Sequence, residues 1–75
     1  MTLNLADHVA AEIRAEMGRQ RGTGWNQRRL AEVLGLSQAQ VSERMSGKVE
    51  FRMSELEQIA TALGVPVAQF LPVGA

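Results

Sequence analysis

The side chains able to do chemistry in this 75-residue chain are amides, hydroxyls and guanidinium groups, not nucleophiles or metal ligands. There is no cysteine. The one histidine, His8, has no cysteine or second histidine at ligand spacing, so an ordinary surface or helix-cap role is expected and no metal. No Ser/His/Asp or Cys/His set, no phosphate-binding glycine motif and no carboxylate pair beside a base occurs. An enzyme is therefore not expected, and no cofactor. What the chain offers is the run Gln38-Ala39-Gln40-Val41-Ser42-Glu43, rich in hydrogen-bonding groups. A glutamine amide donates and accepts side by side, which suits a paired contact with a flat edge.

Cations surround that run. All eight basic residues (Arg14, Arg19, Arg21, Arg28, Arg29, Arg44, Lys48 and Arg52) lie between positions 14 and 52. Within that span stand only Glu16, Glu32, Glu43 and Glu50, which leaves a surplus of four positive charges. Asp7, Glu12, Glu55 and Glu57 lie outside and bring the formal net charge to zero. Neutrality argues against a strongly basic polyanion binder, but a neutral chain with one basic pole still accumulates at phosphate, with a weaker long-range pull.

Two short helices set at a steep angle would position these groups, across Asn26 to Gly47. Asn26 can cap the first, accepting from an amide one turn on, with Trp25 and Leu30 as a hydrophobic staple. Leu30, Ala31 and Leu34 form one apolar stripe at helical period. Gly35 follows, where a helix ends easily in the left-handed conformation that costs glycine nothing. Ser37 and Gln40 then make a Ser-x-x-Gln capping box, and Leu36 with Val41 a second staple. One helix ends and the next begins within about three residues, which forces a sharp turn.

This stretch resembles the helix-turn-helix of the phage-repressor (Cro/CI-type, lambda-repressor-like) DNA-binding family. The residues that carry the resemblance are Gln27, Leu30-Ala31, Gly35, Ser37, Val41 and Gly47-Lys48. Leu56, Ile59-Ala60, Leu63-Gly64-Val65 and Pro66 fit the family's following helix and turn, so the likeness spans roughly residues 24 to 71. It implies that the second helix of the motif enters the major groove of duplex DNA, with its N-terminal side chains at base edges. Gln38 would then read adenine, Ala39 touch a thymine methyl and Glu43 accept from cytosine, with Ser42 as the fourth base-reading position. In the related repressors a glutamine at the Gln27 position bonds a phosphate and braces one at the Gln38 position; both glutamines are present here. Asn26, Gln27, Arg28, Ser46, Lys48, Arg52 and Arg44 are the expected phosphate contacts, which set register and affinity and not sequence choice. There are departures. Arg44 stands where most relatives have an apolar core residue, Met45 where many have a glutamate paired to an arginine in helix one, and Phe51 replaces the usual proline. Either the second motif helix is rolled, or the Arg44 stem packs while its guanidinium escapes to phosphate.

The rest of the chain reads as support. Residues 5–20 should form helix one, capped by Asn4, with Asp7 in its first turn, Leu5, Val9, Ile13 and Met17 as its apolar stripe and Ala6 and Ala10 beside them. Gly22 to Gly24 make the loop into the motif. Val49, Phe51 and Met53 alternate, but a lone strand would have no partner. A further helix is expected over about Met53 to Leu63, with Ser54 and Glu57 as a capping box, or one or two residues earlier in the family register. Gly64 ends it, Pro66 suits the first position of a last short helix, and Pro72 stops that. Phe70 should complete the core. The expectation is an all-α, compact four- to five-helix domain, a single unit over residues 1–75.

The function expected from this reading is sequence-specific binding to a double-stranded DNA operator by a small transcriptional repressor acting by occlusion, phage-immunity-like or antitoxin-like. The alternative is a protein-interaction module that keeps the fold without binding DNA. No apolar run approaches the ~20 residues of a membrane span, and the start lacks a basic-then-apolar signal pattern, so a cytoplasmic, nucleoid-associated protein is expected. Surplus apolar residues late in the chain (Val65, Val67, Phe70, Leu71 and Val73) point to a homodimer through the C-terminal segment.

Overall fold

Helix ends in this chain are fixed by side chains that accept the free amides of the first turn. The computed structural model describes residues 4–72. In it, Asn4 Oδ1 accepts from the Asp7 N–H at 2.8 Å and opens α1, Leu5–Arg19. A 3₁₀ segment, Arg21–Thr23, leads towards Asn26, whose Oδ1 accepts from the Arg29 N–H at 2.9 Å and opens α2, Gln27–Leu34. Ser37 opens α3, Gln38–Met45, through a complete capping box: Ser37 Oγ accepts from the Gln40 N–H at 3.1 Å, and Gln40 Oε1 accepts from the Ser37 N–H at 2.9 Å. After a connector come α4, Met53–Leu63, and a 3₁₀ segment, Val67–Phe70. No strand occurs among the described residues; Val49 and Phe51 belong to the connector and Met53 to the first turn of α4. The protein is all-α.

Each of the five larger helical segments gives one wholly buried side chain to a common core: Ile13, Leu30, Val41, Ile59 and Phe70. Phe70 thus takes the place expected of it. Trp25 and Leu36, the outer halves of the two staples, pack half-buried against the same core. Burial of this kind supplies roughly 1.5–3 kcal/mol per large apolar side chain, set against the entropy of ordering the chain. No helix among the described residues is long and apolar enough to cross a membrane.

Three expectations are corrected by the packing. The α1 stripe loses its first member: Leu5 is 51% exposed, while Val9 and Ile13, with Ala6 and Ala10 beside them, face the core as expected and Glu16 joins them. At the start of α4, Ser54 and Glu57 make no box. Glu55 accepts from the Arg52 N–H at 2.8 Å instead, so the helix begins at the earlier, family register. Pro66 is extended (φ −70°, ψ 144°) and immediately precedes the last segment instead of occupying its first position.

Glu16 is the hub at one end of the molecule. Its carboxylate accepts from Arg19 Nη2 at 2.8 Å, Gln20 Nε2 at 2.8 Å and Gln69 Nε2 at 2.5 Å. Gln20 Nε2 also donates to the Leu63 carbonyl at 2.7 Å, so the end of α1, the end of α4 and the last 3₁₀ segment meet there. Hydrogen bonds from Gln20, then Arg19 and Gln69, hold the Glu16 carboxyl below the usual carboxylate range despite burial.

Candidate nucleic-acid interface

The turn between α2 and α3 is made by Gly35, which closes α2 at φ 67°, ψ 31°. A β-branched residue is strained there, whereas glycine is not. The Leu36 N–H donates back to the Ala31 carbonyl at 3.0 Å, turning the chain so that Ser37 starts α3 at once. An α-helix with its side chains is about 10–12 Å across, which fits the ~12 Å width of the DNA major groove.

The inner side of α3 carries Val41, fully buried, and Met45, 3% exposed. Its outer side carries Gln38, Ala39, Ser42 and Glu43, all exposed. Gln38 with Ser42, and Ala39 with Glu43, are four residues apart and so lie one above the other. Gln40, between them in sequence, is occupied by the capping box. The four base-reading candidates therefore share one surface. The brace from Gln27 to Gln38 is not formed: both side chains are exposed and neither donates to the other among the described contacts.

The phosphate candidates separate into three kinds. Arg28, Lys48 and Arg52 are exposed, with no side-chain hydrogen bond or ion pair among the described residues. Asn26 and Ser46 are engaged in the fold. The Asn26 oxygen caps α2, which leaves its NH₂ available, and the Ser46 hydroxyl donates to the Glu43 carbonyl at 3.0 Å. Arg44 is the third kind. Its side chain is only 11% exposed, its Nε donates to Glu55 Oε1 at 3.1 Å, and its Nη1 donates to the Gln40 carbonyl at 3.2 Å. Of the alternatives posed by an arginine at this apolar position, the stem does pack. The guanidinium turns to Glu55 and not outward to where phosphate would lie, because a half-desolvated cation needs a counter-charge within reach.

Lys48 is held in place by its neighbours. The Lys48 and Val49 N–H groups both donate to the Glu43 carbonyl, at 3.0 and 3.2 Å, which folds the chain back over the end of α3. Gly47 makes that fold at φ 82°, and a Cβ there would overlap the Asp7 carboxylate of α1. The positive φ favours glycine there, and any other residue would also have to displace the Asp7 side chain.

Two participants were not singled out in the sequence. Arg14 of α1 donates from Nη2 to the Met45 carbonyl at 3.1 Å, placing a cation at the negative C-terminal end of α3. No local spacing reveals it, since 31 residues separate the pair. Glu55 is the partner of Arg44, and the signal for it was Arg44 itself: a charge at an apolar position calls for an opposite charge nearby. Burial pushes the Glu55 carboxyl up, but the Arg52 N–H and the Arg44 guanidinium outweigh it and hold it below the usual range. The two adjacent arginines of α2 also differ in role. Both are exposed, but Arg28 makes no side-chain hydrogen bond or ion pair among the described residues, whereas Arg29 lies 4.1 Å from the Trp25 ring centre and donates to the Thr23 carbonyl at 2.5 Å.

Among known proteins, no curated protein and no solved structure matches this chain. A family model described as helix-turn-helix matches residues 12–70, from the middle of α1 through the last 3₁₀ segment. That match takes in the capped α2–α3 corner, the Gly47 connector and the α4 support together, and the chain belongs to the Cro/CI-type helix-turn-helix family of DNA-binding transcriptional regulators.

Proposed function

We propose that this chain binds one duplex DNA operator sequence-specifically, with α3 in the major groove, and represses transcription by occupying the site. The observation that carries this reading is the single exposed surface of Gln38, Ala39, Ser42 and Glu43 on α3, flanked by the exposed cations Arg28, Lys48 and Arg52. Gln38 pairs with adenine, Ala39 meets a thymine methyl and Glu43 accepts from cytosine N4 while repelling phosphate, so it discriminates more than it attracts. Gln27, Arg28 and the Asn26 NH₂ meet one stretch of backbone, and Lys48 and Arg52 another. Ser46 and Arg44 belong to the support of α3. The protein works at the nucleoid, in the cytoplasm.

One small module buries too little surface for operator-grade affinity, so two copies bind together on half-sites about one DNA turn apart. Their contact joins Leu71 to the apolar groove formed with Leu5, Phe51 and Met53. Val65 and Val67 are half-buried in their own core and contribute less, and Val73 lies outside the described residues. Leu71→Asp is expected to turn an operator-bound dimer into a monomer in sedimentation.

Selection of bound sequences from a random duplex library tests the reading and yields the operator. On the selected site, Gln38→Ala should lose about 1–3 kcal/mol and relax choice at one base pair. Lys48→Ala should weaken specific and random DNA alike and reduce the salt slope by about one. If Gln38→Ala keeps the wild-type ratio of specific to random binding, α3 is not the reading helix. The zero net charge favours one rival, a protein-interaction module of the same fold. Its binding would not weaken steeply with salt, which separates the two.

A further inference from the structure

We propose that Arg44 and Glu55 are positioning residues that set the roll of α3 about its own axis, and so decide which of its side chains face the bases. The proposal rests on the DNA-binding reading above and adds to it a determinant of specificity that touches no DNA.

The apolar contacts of α3 bury one side of it against α1 and α2 through Val41 and Met45. Apolar burial is non-directional, and it fixes which side is inside more firmly than the angle at which the helix lies. The Arg44 guanidinium is directional: a planar fork with donors at set angles. One arm returns to the Gln40 carbonyl of its own helix at 3.2 Å, and Nε reaches Glu55 Oε1 on α4 at 3.1 Å. The same oxygen accepts from the Arg52 N–H at 2.8 Å, so it joins α3 to the residue that opens α4. Both side chains of the pair are 11% exposed, which spares it much of the screening that weakens surface ion pairs. Arg14 holds the same C-terminal end of α3 to α1, through the Met45 carbonyl. The helix is thus tied at two points by charged hydrogen bonds, above a greasy contact that alone would let it turn.

The magnitude matters. A side-chain tip lies about 5–6 Å from a helix axis, so a roll of about 20° moves it by roughly 2 Å. A bidentate hydrogen bond does not survive such a shift, since it weakens steeply beyond about 3.2 Å. Stability alone gives no reason for the pair, because an apolar side chain of similar volume serves a core as well or better. Specificity does give one. The pair also links the reading helix to Arg52, so the phosphate register on one side of α3 and the base register on its face are set by one oxygen atom.

The test is the double variant Arg44→Met/Glu55→Gln in the full chain, in which glutamine keeps an acceptor for the Arg52 N–H. Thermal unfolding is measured beside binding to the selected duplex and to random duplex at two salt concentrations. The expected result is a Tm close to wild type, unchanged binding to random DNA with an unchanged salt slope, and a specific-to-random ratio lowered by about tenfold or more. A wild-type ratio in the double variant would overturn the proposal while leaving the DNA-binding reading in place. An equal loss on both duplexes with a flatter salt slope would overturn it too, and would make Arg44 a phosphate contact. Wild-type protein with no salt-dependent duplex binding would overturn both. Should the double variant fail to fold, Glu55→Gln alone must lower the ratio, and an unchanged ratio in that variant sinks the proposal.

Discussion

Glu16 and Glu55 are both buried carboxylates, and both are held ionised by donors that outweigh their burial. Their partners differ in origin. Glu16 is satisfied by Arg19 and Gln20, three and four residues further along its own helix, and by Gln69 from the last 3₁₀ segment. It closes the end of the domain where α1 and α4 terminate. Glu55 is satisfied by the Arg52 N–H at the start of its own helix and by Arg44 from α3. The first hub ties supporting elements to one another; the second ties a supporting element to α3, the proposed reading helix. On that proposal, a buried carboxylate with similar local chemistry serves stability in one place and specificity in another, depending on which element supplies the opposite charge.

The largest effect that bears on this contrast is expected from Phe70→Ala. The ring is fully buried and anchors the segment that carries Gln69 to Glu16, so its loss should cost about 3–5 kcal/mol in urea unfolding. A cost near zero would mean that the Glu16 end is not part of the cooperative core. Next, Gly35→Val acts between the two hubs, at φ 67°, and should destabilise by about 1–3 kcal/mol. A variant melting with the wild type would show that the corner relaxes without the left-handed residue.

The smallest effect separates the hubs most directly. Glu16→Gln should lower the Tm while leaving the ratio of specific to random DNA binding untouched, whereas Glu55→Gln should lower that ratio. Both folded carboxyls titrate below their unfolded counterparts, so the unfolded chain binds more protons in the acid window. Their stabilisation is full above the ordinary glutamate value of about 4.3 and is lost as pH falls from there through the lowered folded values. Glu16→Gln should accordingly show a shallower loss of Tm with acid than wild type. An identical acid slope in the two proteins would mean that Glu16 contributes nothing ionisable to the fold.

Much of the helix-turn-helix was legible before any coordinates, because its signals are local. Asn26 and the Ser37–Gln40 box act within one turn, Gly35 answers to its own backbone angles, and Val41 is one apolar position on a short helix. The outward set Gln38, Ala39, Ser42 and Glu43 followed from helical spacing once Val41 was taken as the inner side. The fate of the cations was not legible. Nothing in the order Arg28-Arg29 says that one finds no side-chain partner among the described residues while the other covers Trp25. The glutamate beneath Arg44 lies 11 residues away on another helix.

By itself the sequence determined where helices start and stop, which corner turns sharply and which side of each helix is apolar, since all of these are decided by groups a few residues apart. Only the tertiary structure decided the partners of the charges. A guanidinium reaches several ångströms and binds whichever carbonyl or carboxylate the packing of other helices brings near. Arg14 finds the Met45 carbonyl, Arg44 finds Glu55 and Gln69 finds Glu16 because the burial of Ile13, Val41, Ile59 and Phe70 in one core has already brought their elements together.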